Sequence, residues 1–159
     1  MALIFTTPLA NLCMYQCFYL QSGTNTWDCT IFSGTQPTAA QITSNWATYS
    51  ANYLCHWINA TWITPTDQNT LDALQLLTAN IPAATAAFRT GTASWAILWN
   101  HTPNVSEAAV QGASLPSTIF WVVPVTNNGG NGVLRLTTTS IVSGTFYQPN
   151  DITIKVSLI

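Results

Sequence analysis

Charged side chains are scarce in this sequence, and the scarcity restricts the partners that the chain can bind. Three residues are Lys or Arg and five are Asp or Glu, which is 5% of 159 residues, against about 25% in an average soluble domain. A protein needs one basic side chain for each nucleic-acid phosphate that it neutralises, and a cluster of them to attach electrostatically to a membrane. We therefore expect neither nucleic acid nor a membrane as a partner.

The polar residues of the chain are mostly uncharged, and threonine is abundant among them. The chain has 25 Thr and seven Trp, with eight Gly and eight Pro, and 48% of its residues are hydrophobic. β-branched and aromatic residues favour strands, whereas Gly and Pro favour turns. The length fits one domain. The composition predicts a mainly β fold, an antiparallel β-sandwich of jelly-roll or Ig-like type with one or two short helices, over residues 1–159.

Apolar and alternating runs locate the strands. They cover Trp27–Phe32, Leu54–Ile63, Ala93–Asn100, Ser117–Val125, Val133–Thr139 and Asp151–Ile159, with period-two alternation clearest in the last two. The Asn- and Gly-rich residues 127–132 are typical of a hairpin or a loop. Residues 1–30 are interpreted as an N-terminal arm or extension of this body.

One helix is predicted after Pro37, where Thr38 is a suitable N-cap. Five residues follow at spacings of three or four and share one helical face: Ala39, Ile42, Trp46, Tyr49 and Tyr53. A later segment is ambiguous, because Leu71, Leu74 and Leu77 have helical spacing while Leu74–Ile81 also fits a strand.

The start of the chain does not resemble a targeting segment. Met1–Phe5 has no basic residue before its apolar stretch, and the apolar run Leu12–Leu20 is nine residues long. A signal peptide needs the positive charge, and a transmembrane helix needs about 20 apolar residues. We therefore expect synthesis in the cytoplasm without insertion into a membrane.

The four cysteines allow several interpretations. Cys13, Cys17, Cys29 and Cys55 all lie in the first 55 residues. With His56 they could form a metal site, but their spacing matches none of the paired patterns of zinc proteins. Buried free thiols are the default, and one or two disulfides among the four are the alternative.

Motifs for catalysis or cofactor binding are missing. The chain has two histidines, His56 and His101, and no Gly-x-Ser-x-Gly elbow or phosphate-binding glycine loop. Asp67 and Asp72 fit a helix start, where an acidic side chain is stabilised without any chemistry. We expect His56 in a core or an interface and His101 in a polar loop. No catalytic residue, cofactor or metal is predicted.

The tryptophans are the candidates for binding. Trp is a large apolar side chain with one hydrogen-bond donor, and it is enriched both in cores and at interface hot spots. It also stacks on sugars. The interface candidates are Trp27, Trp46, Trp57, Trp62, Trp99 and Trp121.

Several short motifs resemble those of small virion proteins of tailed bacteriophages. The turn Gly34-Thr35-Gln36-Pro37 follows a strand, Gly91-Thr92-Ala93-Ser94-Trp95 opens another, and the run from Leu136 to Gly144 precedes an alternating last strand. The resemblance extends in patches from residue 31 to residue 159. These are turn and strand motifs and contain no catalytic group.

The resemblance implies a non-enzymatic structural protein of a bacteriophage virion. A capsid decoration protein that binds the particle surface is the first expectation, with the major capsid protein as partner. It would be a homo-oligomer, such as a trimer, made in the bacterial cytoplasm. The alternatives are a component of the neck, tail or fibres, bound to neck or tail proteins, and a recognition module that binds glycans through exposed Trp.

Overall fold

The computed structural model describes residues 26–63, 77–80, 85–100, 105–118, 120–130 and 133–154. Within these ranges the chain is mainly β. The strands are β1 (Thr26–Ser33), β2 (Tyr53–Ile63), β3 (Leu77–Asn80), β4 (Thr85–Ala86), β5 (Gly91–Asn100), β6 (Phe120–Asn127), β7 (Leu134–Leu136), β8 (Ser140–Ile141), β9 (Phe146–Tyr147) and β10 (Asp151–Ile154). The helices are α1 (Ala39–Ser44), α2 (Trp46–Ser50) and α3 (Glu107–Val110).

The main sheet curls until its pairings form a ring. Its order is β1-β2-β3-β10-β7-β6-β5-β8, and β1 also pairs with β5. Strands β4 and β9 form a separate two-stranded sheet. The long central strands carry most of the pairing: in β1, Thr30 lies opposite His56 of β2 and also opposite Ile97 of β5.

The predicted mainly β class is confirmed, but the sheet is mixed. All pairings in the ring are antiparallel except that of β6 with β7, where Val125 pairs with Leu134 in parallel. The turn that follows β6 depends on two glycines. Gly129 has a φ of 93°, which only Gly adopts easily, and a Cβ on Gly130 would lie 2.6 Å from the Thr126 side chain.

Two buried clusters lie on the two faces of the sheet. Successive residues of a strand point to opposite faces, so Cys29 and Ile31 pack on one face while Asp28 and Thr30 point to the other. We call the first cluster the strand-lined core. It consists of Trp27, Cys29, Ile31, Leu54, Cys55, Trp57, Ala87, Ala93, Ala96, Leu98, Val123, Val125, Leu134, Leu136 and Ile141.

The second cluster, the helix-covered core, is dominated by aromatic residues. It consists of Phe32, Ile42, Trp46, Tyr53, Trp95, Ile97, Trp99, Val105 and Val110. The Phe32 and Trp95 rings stack with centroids 4.2 Å apart and planes 8° from parallel. Trp46 meets Trp99 edge to face at 5.5 Å. Helices α1 and α2 and residues 105–110 cover this face of the sheet.

The helix after Pro37 begins as predicted but divides in two. Thr38 accepts a hydrogen bond from the Gln41 backbone N–H, and the Gln41 side chain accepts one from the Thr38 N–H. This capping box satisfies two of the free donors of the helix. The helix stops at Asn45 and restarts at Trp46, while Tyr53 opens β2.

The two glycines singled out in the sequence have different roles. Gly34 lies in the turn after β1 with a φ of 87°, as predicted. Gly91 has no such angle and is the first residue of β5. Its small size matters because a Cβ there would lie 2.9 Å from the Leu54 side chain.

The ends of the chain are described in part. Residues 26–30 of the predicted arm belong to β1, and residues 1–25 lie outside the described part. Of the ambiguous segment, Leu77–Asn80 forms β3, which favours the strand. The predicted last strand is described as β10, and residues 155–159 lie outside the described part.

Candidate functional site

A buried polar network crosses three strands beneath the helix-covered core. Trp99 Nε1 lies 2.7 Å from Thr30 Oγ1, Thr30 Oγ1 lies 2.8 Å from His56 Nδ1, and His56 Nε2 lies 2.8 Å from the Val105 carbonyl oxygen. The register of β1 with β2 and β5 places these side chains on one face. Thr30 is fully buried and His56 is 6% exposed.

The chemistry of the two ends fixes the direction of the outer hydrogen bonds in the network. An indole N–H only donates and a carbonyl oxygen only accepts, so Trp99 donates to Thr30 and His56 Nε2–H donates to Val105. In the neutral imidazole, whose proton is then on Nε2, Nδ1 is an acceptor and the Thr30 hydroxyl donates to it.

Residues 105–112, which we call the covering segment, are held by side chains of the sheet and of α2. The Val105 N–H donates to Asp28 Oδ2 at 2.9 Å, so both polar groups of the Val105 backbone are bound. Tyr53 donates to Glu107 Oε1 at 2.7 Å, and Trp46 Nε1 donates to the Gly112 carbonyl at 3.0 Å. Val105 and Val110 are buried beneath the segment.

Burial controls the ionisation of the groups around this network. It lowers the pKa of His56 below its ordinary value, and the negative charge of Asp28, the Val105 carbonyl and Glu107 oppose the shift in part. Burial raises the pKa of Tyr53, and the hydrogen bond to Glu107 adds to this. His56 is therefore held neutral near pH 7, and its Nδ1 accepts from Thr30.

Two cysteines are buried free thiols on the opposite face. Cys29 and Cys55 belong to the strand-lined core, where burial raises the pKa of both. A thiol with a raised pKa is a poor nucleophile, because the thiolate is the reactive form. No disulfide joins these two residues in the structure. Cys13 and Cys17, the other cysteines considered for pairing, lie outside the described residues.

The network is built as a structural element. A nucleophile and its base must reach a substrate, whereas Thr30 and His56 lie beneath the covering segment and already use their hydrogen-bonding atoms on internal partners. Among the described residues, no group of three or more His, Cys, Asp or Glu is placed to hold a metal ion. His101, Asp67 and Asp72 lie outside the described ranges.

Four of the predicted interface tryptophans lie in the core. Trp27, Trp46, Trp57 and Trp99 are all almost fully buried within the chain, which corrects their assignment to an intermolecular surface. Three of them spend their indole N–H on internal acceptors: Trp46 on Gly112, Trp57 on Tyr147 and Trp99 on Thr30. Trp121 on β6 is 37% exposed, and the Trp62 side chain is not described.

The large exposed apolar side chains gather at a different place. Phe146 is 69% exposed, Val142 51% and Phe88 42%. We call the surface formed by these three residues the apolar edge. Pairing of β4 with β9 places Ala86 opposite Phe146, and Ser143 Oγ donates to the Phe88 carbonyl at 3.0 Å, which connects the two chain segments.

The apolar edge was missed in the sequence because no periodic pattern marks it. Phe88 follows an Ala-rich segment, and Phe146 stands beside Tyr147 after a Ser-Gly turn. A large aromatic residue next to a turn was the available signal. Arg89 is the charged residue of this region, and its guanidinium carbon lies 5.1 Å from the Phe88 ring centroid while its Nη1 donates to the Ala51 carbonyl.

Comparisons with known proteins give no relative. No family model, no curated protein and no solved structure matches the chain. In the described residues, no helix is long and apolar enough to span a membrane.

Proposed function

We propose that this chain is a non-enzymatic structural protein of a bacteriophage virion that attaches to the particle through its apolar edge. The observation that carries the proposal is the exposure of Phe146, Val142 and Phe88 on two adjoining chain segments, in a molecule whose other described large hydrophobic side chains, apart from Trp121, are mostly covered. Contiguous exposed apolar surface rimmed by polar residues is typical of protein interaction sites.

The size of the edge indicates the kind of contact that it makes. From their exposed fractions, the two phenylalanines leave on the order of 200 Å² of side-chain surface open. A stable interface buries about 800 Å² on each partner, and a few aromatic anchors at its centre supply most of the affinity. The apolar edge has the size of such a centre, surrounded by the Thr- and Ser-rich rim.

The charge of the region indicates the partner. Residues 85–90 and 140–147 contain one charged side chain, Arg89, so the edge offers little charge for electrostatic steering. An uncharged, apolar patch on another virion protein is the complementary surface. We propose the major capsid protein as that partner, with this chain as a decoration protein in many copies. A homo-oligomer such as a trimer would strengthen weak individual contacts by avidity.

The finer architecture belongs to the same proposal. A jelly-roll or Ig-like sandwich would stack two antiparallel sheets about 10 Å apart. The strand-lined core is enclosed by one curled sheet that contains a parallel pair, so only the coarser mainly β class is supported and the sandwich stays a prediction. An experimental structure of the whole chain would test it.

The first experiment counts copies. Quantitative mass spectrometry of purified particles should find this chain at a fixed fraction of the major capsid protein. A few to a few dozen copies per particle would instead indicate the neck, tail or fibres. Absence from particles would overturn the virion proposal.

A matched pair of variants then tests the surface. Phe146→Ser should weaken attachment to particles about tenfold or more, as expected for an interface anchor, while its free energy of unfolding changes by less than about 0.5 kcal/mol. Trp121→Ser is the control, since it also removes an exposed aromatic side chain but at a different place. Equal attachment by the wild type and Phe146→Ser would contradict the proposed surface.

Glycan binding is the second candidate, and the exposed indole of Trp121 favours it. Aromatic faces stack on sugars, and Trp121 is the one described tryptophan with substantial exposure. Pull-down with bacterial cell-wall glycan should then retain the wild type and Phe146→Ser and lose Trp121→Ser. The opposite pattern would remove this candidate.

A further inference from the structure

We propose that His56 is an acid-sensitive latch: its neutral imidazole keeps the covering segment closed over the sheet, and its protonation releases that segment while the strands stay paired. The inference is independent of virion attachment. It rests on the directed hydrogen bonds that run from Trp99 through Thr30 and His56 to Val105.

Protonation of His56 breaks the network at one defined point. Nδ1 would gain a proton that points at Thr30 Oγ1, 2.8 Å away. The Thr30 hydroxyl proton would then lose its acceptor, in a place where the residue is fully buried. A buried donor without an acceptor is destabilising, and opening of the segment restores water to both groups.

The covering segment is short, and the network supplies part of what attaches it. It contains one helix of four residues, α3. Among the described residues, Asp28, His56, Tyr53 and Trp46 make polar contacts to it from the sheet and α2, and its own Val105 and Val110 are buried. Two of the four polar contacts converge on the backbone of Val105, so disturbance of His56 acts directly on the attachment point.

The groups that face His56 limit the range in which the latch acts. Asp28 and Thr30 face it from β1, Trp99 from β5, and Glu107 from the covering segment, with Tyr53 and Cys55 on its own strand. The two carboxylates favour the charged imidazole, but burial acts more strongly and lowers the pKa of His56. The closed state therefore binds the proton less readily than the open state.

This difference sets the sign of the pH dependence. His56 in the open segment titrates near the ordinary histidine pKa of about 6.5. Between that value and the lower pKa of the closed state, the open population should rise about tenfold for each unit by which the pH falls. Above about pH 6.5 the closed state should be insensitive to pH.

The experiment uses amide hydrogen exchange of the whole chain between pH 5 and pH 7.5, corrected for the intrinsic pH dependence of exchange. Amides of residues 105–112 should lose protection relative to those of β1, β2 and β5 as the pH falls. Equal loss in strands and segment would show global unfolding and overturn the latch, as would unchanged protection of the segment.

His56→Gln is the matched variant. The Gln amide offers one donor and one acceptor without titrating, so the segment should stay closed and its protection should no longer depend on pH. Should this variant fail to fold, NMR titration of the wild type replaces it. His56 should titrate below the ordinary histidine pKa of about 6.5, and a midpoint at or above that value would overturn the proposal.

Discussion

The two buried cores of this molecule share the same strands but are built by different means. The strand-lined core contains aliphatic residues, two thiols and two tryptophans, and it lies among strands on every side. The helix-covered core contains stacked aromatic rings and lies next to the buried polar network of Asp28, Thr30 and His56. One face of the sheet is thus held mainly by apolar burial, with the hydrogen bond from Trp57 to the Tyr147 carbonyl, and the other also by a connected network of directed hydrogen bonds.

The difference teaches where the fold is specified and where it can open. Apolar burial is nondirectional, so the strand-lined core tolerates small changes in packing. Hydrogen-bonded networks require every partner, and the loss of one leaves the others unsatisfied. The helix-covered side is closed by short helices and the covering segment rather than by a second sheet. On this side, the loss of one hydrogen-bonding partner should therefore open the cover locally without unfolding the sheet.

The largest expected effect compares one anchor from each core. Trp95→Ala should lower the free energy of unfolding by about 4 kcal/mol and Leu98→Ala by about 3 kcal/mol. The larger loss follows because Trp95 stacks on Phe32 and its Nε1 donates to the Ser33 carbonyl at 3.0 Å. Chemical denaturation followed by circular dichroism measures both.

A milder variant keeps this comparison measurable if Trp95→Ala does not fold. Trp95→Phe preserves an aromatic ring against Phe32 and removes the N–H that reaches Ser33. If Leu98→Ala lowered the free energy of unfolding more than both Trp95 variants did, the strand-lined core would dominate stability.

A smaller effect should come from opposite changes in polarity on neighbouring residues. Thr30→Val removes a hydroxyl from the polar network and leaves Trp99 Nε1 without its acceptor, which should cost about 2 kcal/mol. Cys29→Ser adds a hydroxyl to the strand-lined core, which should cost about 2 kcal/mol. Thermal unfolding compares them with the controls Thr30→Ser and Cys29→Ala. A Thr30→Val variant as stable as the wild type would mean that the hydrogen-bonded network does not stabilise the helix-covered face.

The smallest effect concerns the cover rather than the cores. Thr38→Ala removes the side-chain cap of α1 and should lower the free energy of unfolding by about 1 kcal/mol. Thr38→Ser keeps a hydroxyl and should be close to the wild type. Thermal unfolding measures both variants, and a loss in Thr38→Ser as large as in Thr38→Ala would place the contribution of Thr38 outside the cap.

Local patterns made the strands and the first helix predictable. Alternation is a property of the strand itself, so β1, β5 and β6 could be located within a few residues, and the Thr38 cap could be identified from its neighbours. The parallel pairing of β6 with β7 could not be predicted, because Asn- and Gly-rich residues suit both a hairpin and a longer loop.

The sequence did not predict which distant residues meet in the folded chain. Thr30 and His56 are 26 residues apart and meet because of the register between β1 and β2, which no local pattern specifies. Tryptophan serves cores and interfaces with the same chemistry, so its role in Trp27, Trp57 and Trp99 follows only from burial. The apolar edge likewise arises from two separate segments brought together by the pairing of β4 with β9.

The ring of pairings also has a consequence for protein synthesis. β10 joins β3 to β7, although it is the last strand described and β3 lies more than 70 residues before it. A nascent chain that has not yet released Asp151 from the ribosome therefore exposes two incomplete strand edges, which are sites of aggregation. Folding of this molecule must finish after translation of β10, and the rate of translation through its last third sets how long those edges stay open.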